Sequence, residues 1–136
     1  MAYRLRPSSA HEYAVCAASV QMQEQFPETE ESDSAREGNA THWVSEQVLH
    51  SYVDGKLKLC SDFIDQTAPN GVVIDEDMAD GADLYVMEIL RVCQASGLLQ
   101  ELQIEQPIQI PRIHATESGG TPDAWLFNNL TYTLDL

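Results

Sequence analysis

Two hydrophobic periods divide the chain. From about residue 10 to Gly97 apolar side chains recur at helical spacing, near 3.6 residues, and beyond Gly97 they recur at every second position, as in strands. Ser9-Ala10-His11-Glu12 has the form of a capping box, and Tyr13, Ala17 and Val20 follow on one face, so a first helix is expected from Ala10 to Gln25. Phe26-Pro27 stops it, because the residue before a proline is pushed out of the helical region, and the acidic, serine-rich run from Glu28 to Asp33 reads as a solvated loop. Ser34-Ala35-Arg36-Glu37 predicts the start of a second helix, with Ala40, Trp43, Val44, Val48 and Tyr52 on its apolar face and its end near Asp54-Gly55. The segment 56–71 carries mixed signals and is left unassigned.

The third helix is the plainest feature. Met78, Ala82, Tyr85, Val86, Ile89, Val92 and Cys93 form one stripe, acids at Asp75, Glu76 and Asp77 suit the positive end of a helix dipole, and Gly97 suits its end. Those acids also suggest a calcium loop. That fails, since glycine is missing at the sixth position and a carboxylate at the twelfth, where Asp80 and Val86 stand. Beyond Gly97, Leu102, Ile104, Ile108 and Ile110 alternate, with Pro107 marking an edge or bulge, and 123–127 and 131–136 suit two further strands around a turn at Asn128 and Asn129. Helices followed by strands make an α+β fold, with N-terminal helices on a small antiparallel or mixed sheet. At 136 residues one domain is expected over 1–136.

Charge changes the picture more than composition does. Twenty-two acidic against seven basic side chains leave −15, a field that repels duplex DNA and attracts a basic partner. With 43% apolar residues the acidity is not that of a disordered chain. Cys16, Cys60 and Cys93 are too few and too far apart for a disulfide framework or a zinc site, and Cys16 is expected to be a small buried apolar residue. No leader-like h-region opens the sequence and no run is long enough to span a membrane, so a cytoplasmic protein is expected.

Asp123 and Asp135 are the first chemical candidates. Across a three-residue turn at 128–130 they would face each other on one side of a hairpin, close enough for both to ligate one hard cation; across a two-residue turn they would lie on opposite faces. The pattern alone leaves both open.

Five blocks, in order along the chain, resemble those of PD-(D/E)XK nucleases of the RecB-like, phage-encoded kind. Arg6-Pro7-Ser8-Ser9 through to Cys16 looks like the opening serine-to-cysteine segment, followed by Gln25-Phe26-Pro27. Glu37-Gly38-Asn39-Ala40-Thr41-His42 matches an E-G-x-x-x-H signature, Pro122-Asp123 the Pro-Asp motif, and Leu134-Asp135-Leu136 the start of the (D/E)-x-K motif. The resemblance implies a partial nuclease core, with His42, Asp123 and Asp135 as metal ligands, Glu37 and Glu105 as secondary candidates, and Mg²⁺ or Mn²⁺ at a vestigial site. Each residue has a plainer reading: Glu37 as a helix cap, His42 as a hydrogen-bonded, partly buried histidine, Glu105 as an outward strand residue.

The family places a lysine two positions after Asp135, and the sequence stops at Leu136. That lysine positions the attacking water and offsets charge in the transition state, so a catalytically incomplete protein of phage origin is expected to act by binding, with enzymatic activity left open. An acidic mimic of DNA that occupies the basic nucleic-acid-binding surface of a host protein, as an anti-CRISPR inhibitor does, fits that description, and a homo-oligomer is a further possibility. The alternative is a metal-dependent DNA nuclease completed by oligomerisation or by a partner.

Overall fold

A computed structural model describes residues 4–5, 10–16, 18, 19, 22, 25, 30–97, 101–109, 117–120 and 123–126. The chain divides into two compact units, one of residues 1–30 and 106–122, the other of 31–105 and 123–136. Helices and short strands occur together, so the fold is α+β.

In the first unit, strands β1 (Arg4–Leu5), β3 (Ile108–Gln109) and β4 (Glu117–Gly120) form a sheet in the order β1-β4-β3. β1 runs parallel to β4, with Arg4 opposite Glu117, and β3 runs antiparallel to it, with Ile108 opposite Gly120. Neither β1 nor β4 was legible. Two residues are too few to show a period, and Glu-Ser-Gly-Gly is a poor strand former held by its neighbours' hydrogen bonds rather than by propensity.

Helix α1 (Ala10–Val15) starts where expected but ends ten residues before Gln25. Val15 is 90% exposed and Cys16 is exposed, not buried as expected, and beyond this break Ser19 and Met22 are helical again, the Met22 N–H donating to the Ala18 carbonyl at 3.1 Å. Ser9, Ala17 and Val20 lie outside the described residues.

The second unit is built on two 21-residue helices, α2 (Asp33–Val53) and α3 (Glu76–Ser96). α2 begins two residues earlier than the capping-box reading places it. Ser32, in extended conformation, is the N-cap and accepts a hydrogen bond from the Ala35 N–H at 3.2 Å, so Ser34 sits inside the first turn and Glu37 has no capping role. α3 matches its expected limits: Asp75 Oδ1 accepts from the Met78 N–H at 2.8 Å, and Gly97 closes the helix in the left-handed conformation at φ 68°. Glycine adopts that conformation without the Cβ clash that other residues suffer.

Ala40, Val44, Val48 and Leu49 of α2 meet Ala79, Ala82, Val86 and Cys93 of α3 in one core. Burial of this apolar area, at about 25 cal/mol per Å², is what holds the two helices together. Met78, Tyr85 and Ile89 pack on the core's edge, whereas Val92, expected in the stripe, is 42% exposed.

The unassigned segment supplies the floor of that core. A 3₁₀ helix (Cys60–Phe63) buries Cys60 and Phe63, and the Phe63 ring meets Trp43 edge-on at 5.6 Å. Thr67 and Val73 then bridge around the turn at Pro69-Asn70-Gly71, which brings Ala68 and Ile74 inward. Asn70 ties that turn to α2: its amide donates to the Arg36 carbonyl at 2.8 Å, and the Arg36 guanidinium donates to the Asn70 carbonyl at 3.2 Å. A segment without a hydrophobic period is thus held by these bonds together with backbone pairs such as the Asp65 N–H to the Ile74 carbonyl at 2.9 Å and the Ala68 N–H to the Val72 carbonyl at 2.8 Å.

Two-residue strands β2 (Gln103–Ile104) and β5 (Ala124–Trp125) pair antiparallel in this unit, with Leu102 and Ile104 entering the core. The expected strand over 123–127 is therefore shorter, and Asp123 stands just before it. Ile110, the turn at Asn128 and Asn129, and the strand expected over 131–136 lie outside the described residues. No described helix is long and apolar enough to cross a membrane.

Candidate metal centre

Three acid–base side chains from three separate elements of the second unit meet at one point. The register of β2 and β5 sets Gln103 opposite Trp125 and Ile104 opposite Ala124. The next step outward sets Glu105 opposite Asp123, and the Glu105 N–H donates to the Asp123 carbonyl at 3.1 Å. Two carboxylates thus leave neighbouring strand ends together, as cross-strand pairs do.

The backbone of Glu105 is unusual. Its φ is 51°, in the left-handed region, which costs a non-glycine residue about 1–2 kcal/mol. Directly after buried Ile104, that conformation breaks the strand's alternation, and the Glu105 carboxylate reaches α2.

His42 of α2 meets it there. Its Nε2 lies 2.8 Å from Glu105 Oε1 and 3.2 Å from Asp123 Oδ1. One ligand atom from each of the three residues can be chosen so that all lie within 4.8 Å of one another. His42 and Glu105 are about one-third exposed and Asp123 about half, at 37%, 30% and 54%, so the cluster faces water while α2 and β2 anchor it from below.

Tyr85 of α3 lies beside this group, its ring centroid 6.2 Å from that of His42 and tilted by 38°. Its hydroxyl pKa is raised, first by burial and then by the negative charges of Asp123 and Glu105. The amphipathic stripe assigned Tyr85 to the core. Nothing in the sequence pattern marks it as a neighbour of the carboxylates, because that proximity depends on how β2 and β5 dock.

Of the five residues singled out from sequence, the structure brings His42, Glu105 and Asp123 together. Glu37 is apart from them and exposed. Five residues along a helix turn a side chain by roughly 140°, so Glu37 and His42 cannot share a face of α2. Asp135 lies outside the described residues, as does the hairpin that would set it against Asp123; the cross-strand partner that Asp123 has here is Glu105. Glu105 itself, read as an outward strand residue in its plainer form, is turned inward by its left-handed backbone.

Two carboxylate oxygens and one imidazole nitrogen suit a hard or borderline divalent cation. An octahedral ion with bonds of about 2.1 Å spaces adjacent ligands by about 3.0 Å, and the two separations from His42 Nε2 bracket that value. Three of the described cations are engaged elsewhere. Arg36 holds Asn70, Arg91 pairs with Glu88 at 2.6 Å, and Lys58 lies 5.6 Å from the Phe63 ring.

The fold and the site together define an α+β chain with a half-exposed histidine–dicarboxylate cluster. By sequence, residues 3–134 match the family of proteins of unknown function designated DUF2800. The match spans nearly the whole chain, and the protein belongs to that family. No solved structure matches it.

Proposed function

We propose that His42, Glu105 and Asp123 hold a divalent cation, Mg²⁺ or Mn²⁺, and that this centre serves phosphodiester hydrolysis of the PD-(D/E)XK nuclease kind. The observation that carries the reading is the convergence of these three side chains, each of which the motif resemblance had named as a ligand candidate on separate grounds. A structural histidine needs one acceptor; here one nitrogen faces two carboxylates that are also neighbours of each other. Two like charges at that spacing repel, and a bound dication would reverse the sign of the interaction.

A cation held there would polarise a phosphate oxygen and lower the pKa of a bound water. The chain's own part is to fix the ligands: α2 orients the imidazole, and the β2–β5 register and the turned backbone at Glu105 orient the carboxylates. Among the described residues no lysine or arginine contacts the cluster, so charge compensation in the transition state falls to a group outside them, on this chain or a neighbouring one.

Isothermal titration with Mn²⁺ tests the metal. One saturable equivalent is expected for the wild-type protein, weakened at least tenfold by Asp123→Ala or His42→Ala. Mg²⁺- or Mn²⁺-dependent cleavage of DNA, lost in Asp123→Ala, tests the chemistry. Binding unaltered by both substitutions would sink the reading.

The net charge of −15 favours a second reading, that the chain acts by contact, as an acidic DNA mimic on a basic nucleic-acid-handling protein such as a CRISPR complex. Such a partner should be captured at low salt and released as screening grows. Capture that persists at high salt counts against mimicry.

A further inference from the structure

The core takes Ala79, Ala82, Val86 and Cys93 from one face of α3 and leaves the opposite face to solvent. Two parallel rows run along that outer face, each in steps of three residues. One is Asp77, Asp80 and Asp83, all exposed. The other, four residues further on, is Gly81, Leu84 and Met87, with Leu84 73% and Met87 61% exposed. Such rows are the ridges of a helix surface, and the groove between them is where a second helix seats a ridge of its own. A large apolar residue exposed singly is ordinary, but these two stand one turn apart beside three uncompensated charges. Among the described residues no lysine, arginine or histidine pairs with the three aspartates, and the Cys60 thiol that donates to Asp83 is neutral. Arg91, at the far end of the face, is held by Glu88 at 2.6 Å.

We propose that this groove on α3 docks a basic amphipathic helix of another protein, whose apolar residues cover Leu84 and Met87 and whose lysines or arginines meet Asp77, Asp80 and Asp83. Charge selects the occupant. A second copy of this chain does not supply such a helix, because α2 carries one Lys or Arg, Arg36, and α3 one, Arg91, and each copy brings a further −15. Nucleic acid and anionic lipid are repelled by the same field. Spacing selects the conformation. The aspartates climb α3 in steps of about 4.5 Å. A partner helix repeats side chains on one face in steps of about 4.5–6 Å, whereas an extended peptide repeats them in steps of about 7 Å and is out of phase by the third. The apolar pair also separates this contact from mimicry of DNA, since burial of Leu84 and Met87 survives screening by salt and ion pairing does not. The metal cluster is not involved. Tyr85, the α3 residue beside His42, is turned by about 100° from Leu84, so the inference stands with or without a bound cation.

The test uses the full chain and, as probe, a fluorescein-labelled synthetic peptide of about 18 residues, with leucine on one helical face and lysine on the other. A scrambled peptide of the same composition is the control, and fluorescence anisotropy reads the affinity. The wild-type chain should bind the amphipathic peptide roughly tenfold more tightly than the scramble, or better. Leu84→Gln combined with Met87→Gln should weaken that binding about tenfold at low and at high salt alike. Asp77→Asn combined with Asp80→Asn should weaken it about tenfold at low salt and little at high salt. Val73→Gln, at a side chain 55% exposed outside α3, should leave it unchanged. Far-ultraviolet circular dichroism checks that each variant is folded. No preference for the amphipathic peptide over the scramble, or wild-type affinity at low salt in either double variant, overturns the proposal. Self-association of the wild-type chain that Leu84→Gln with Met87→Gln abolishes would give the face to a second copy and overturn the choice of partner.

Discussion

Replacing Glu105 by asparagine should make the metal-free protein more stable and the metal-loaded protein less so. Glu105 sits at φ 51°, where an ordinary residue pays about 1–2 kcal/mol and asparagine, whose short amide tolerates the left-handed region, pays less. The substitution also removes one of two adjacent negative charges. Against this stands the loss of the 2.8 Å contact with His42, which is about one-third exposed and so worth no more than about 1 kcal/mol, part of which the asparagine amide can restore. The balance favours the variant by about 0.5–1 kcal/mol without metal. With Mn²⁺ at one hundred times the wild-type dissociation constant, the wild type gains about 2.7 kcal/mol, and a variant that binds one hundred times more weakly gains about 0.4. The order of stability should therefore invert, with the wild type ahead by about 1–2 kcal/mol. Urea unfolding followed by far-ultraviolet circular dichroism, once in EDTA and once in MnCl₂, reads both numbers. A variant less stable than wild type in EDTA refutes the strain argument, and an equal gain from Mn²⁺ in the two proteins refutes the role of Glu105 as a ligand.

Leu49 is 1% exposed between the two long helices, so Leu49→Ala should cost about 2–5 kcal/mol in chemical denaturation; a loss below 1 kcal/mol would show a core that closes around the cavity. Asp75→Ala removes the α3 cap bond at 2.8 Å and should cost about 1 kcal/mol, with Asp75→Ser restoring most of it. Cys16 is exposed while Cys60 and Cys93 are buried, so an aromatic disulfide reagent should modify one thiol in the native protein and three after unfolding. Burial, reinforced by the carboxylate of Asp83, pushes the Cys60 thiol up to about 11. Since the unfolded thiol ionises near 8.5, the unfolded chain binds fewer protons between those values, and stability is complete below the lower one and lost as pH rises towards the upper. Cys93 and Tyr85 are raised too, so Cys60→Ala should flatten the alkaline loss of stability without abolishing it; an unchanged slope would place the effect elsewhere.

Several features of this protein are set by the sequence acting locally. The period of Met78, Ala82, Val86 and Cys93, the acids before it and Gly97 after it specify α3 nearly to the residue, because capping and amphipathicity involve neighbours a few positions apart. The same holds for the apolar face of α2, though the cap is Ser32 rather than Ser34. The motif resemblance named His42, Asp123 and Asp135 as ligands, with Glu37 and Glu105 as secondary candidates, so it held all three cluster residues without singling them out as a set. Only the tertiary structure decided that these three meet, that Glu37 does not join them and that Tyr85 lies beside them. Those outcomes turn on the register of two-residue strands, on one left-handed backbone at Glu105 and on the docking of β2 against α2. Each is a long-range interaction with no periodic trace in the sequence, since a shift of one residue in β2 against β5 would leave the hydrophobic pattern almost unaltered and send the carboxylates to different faces.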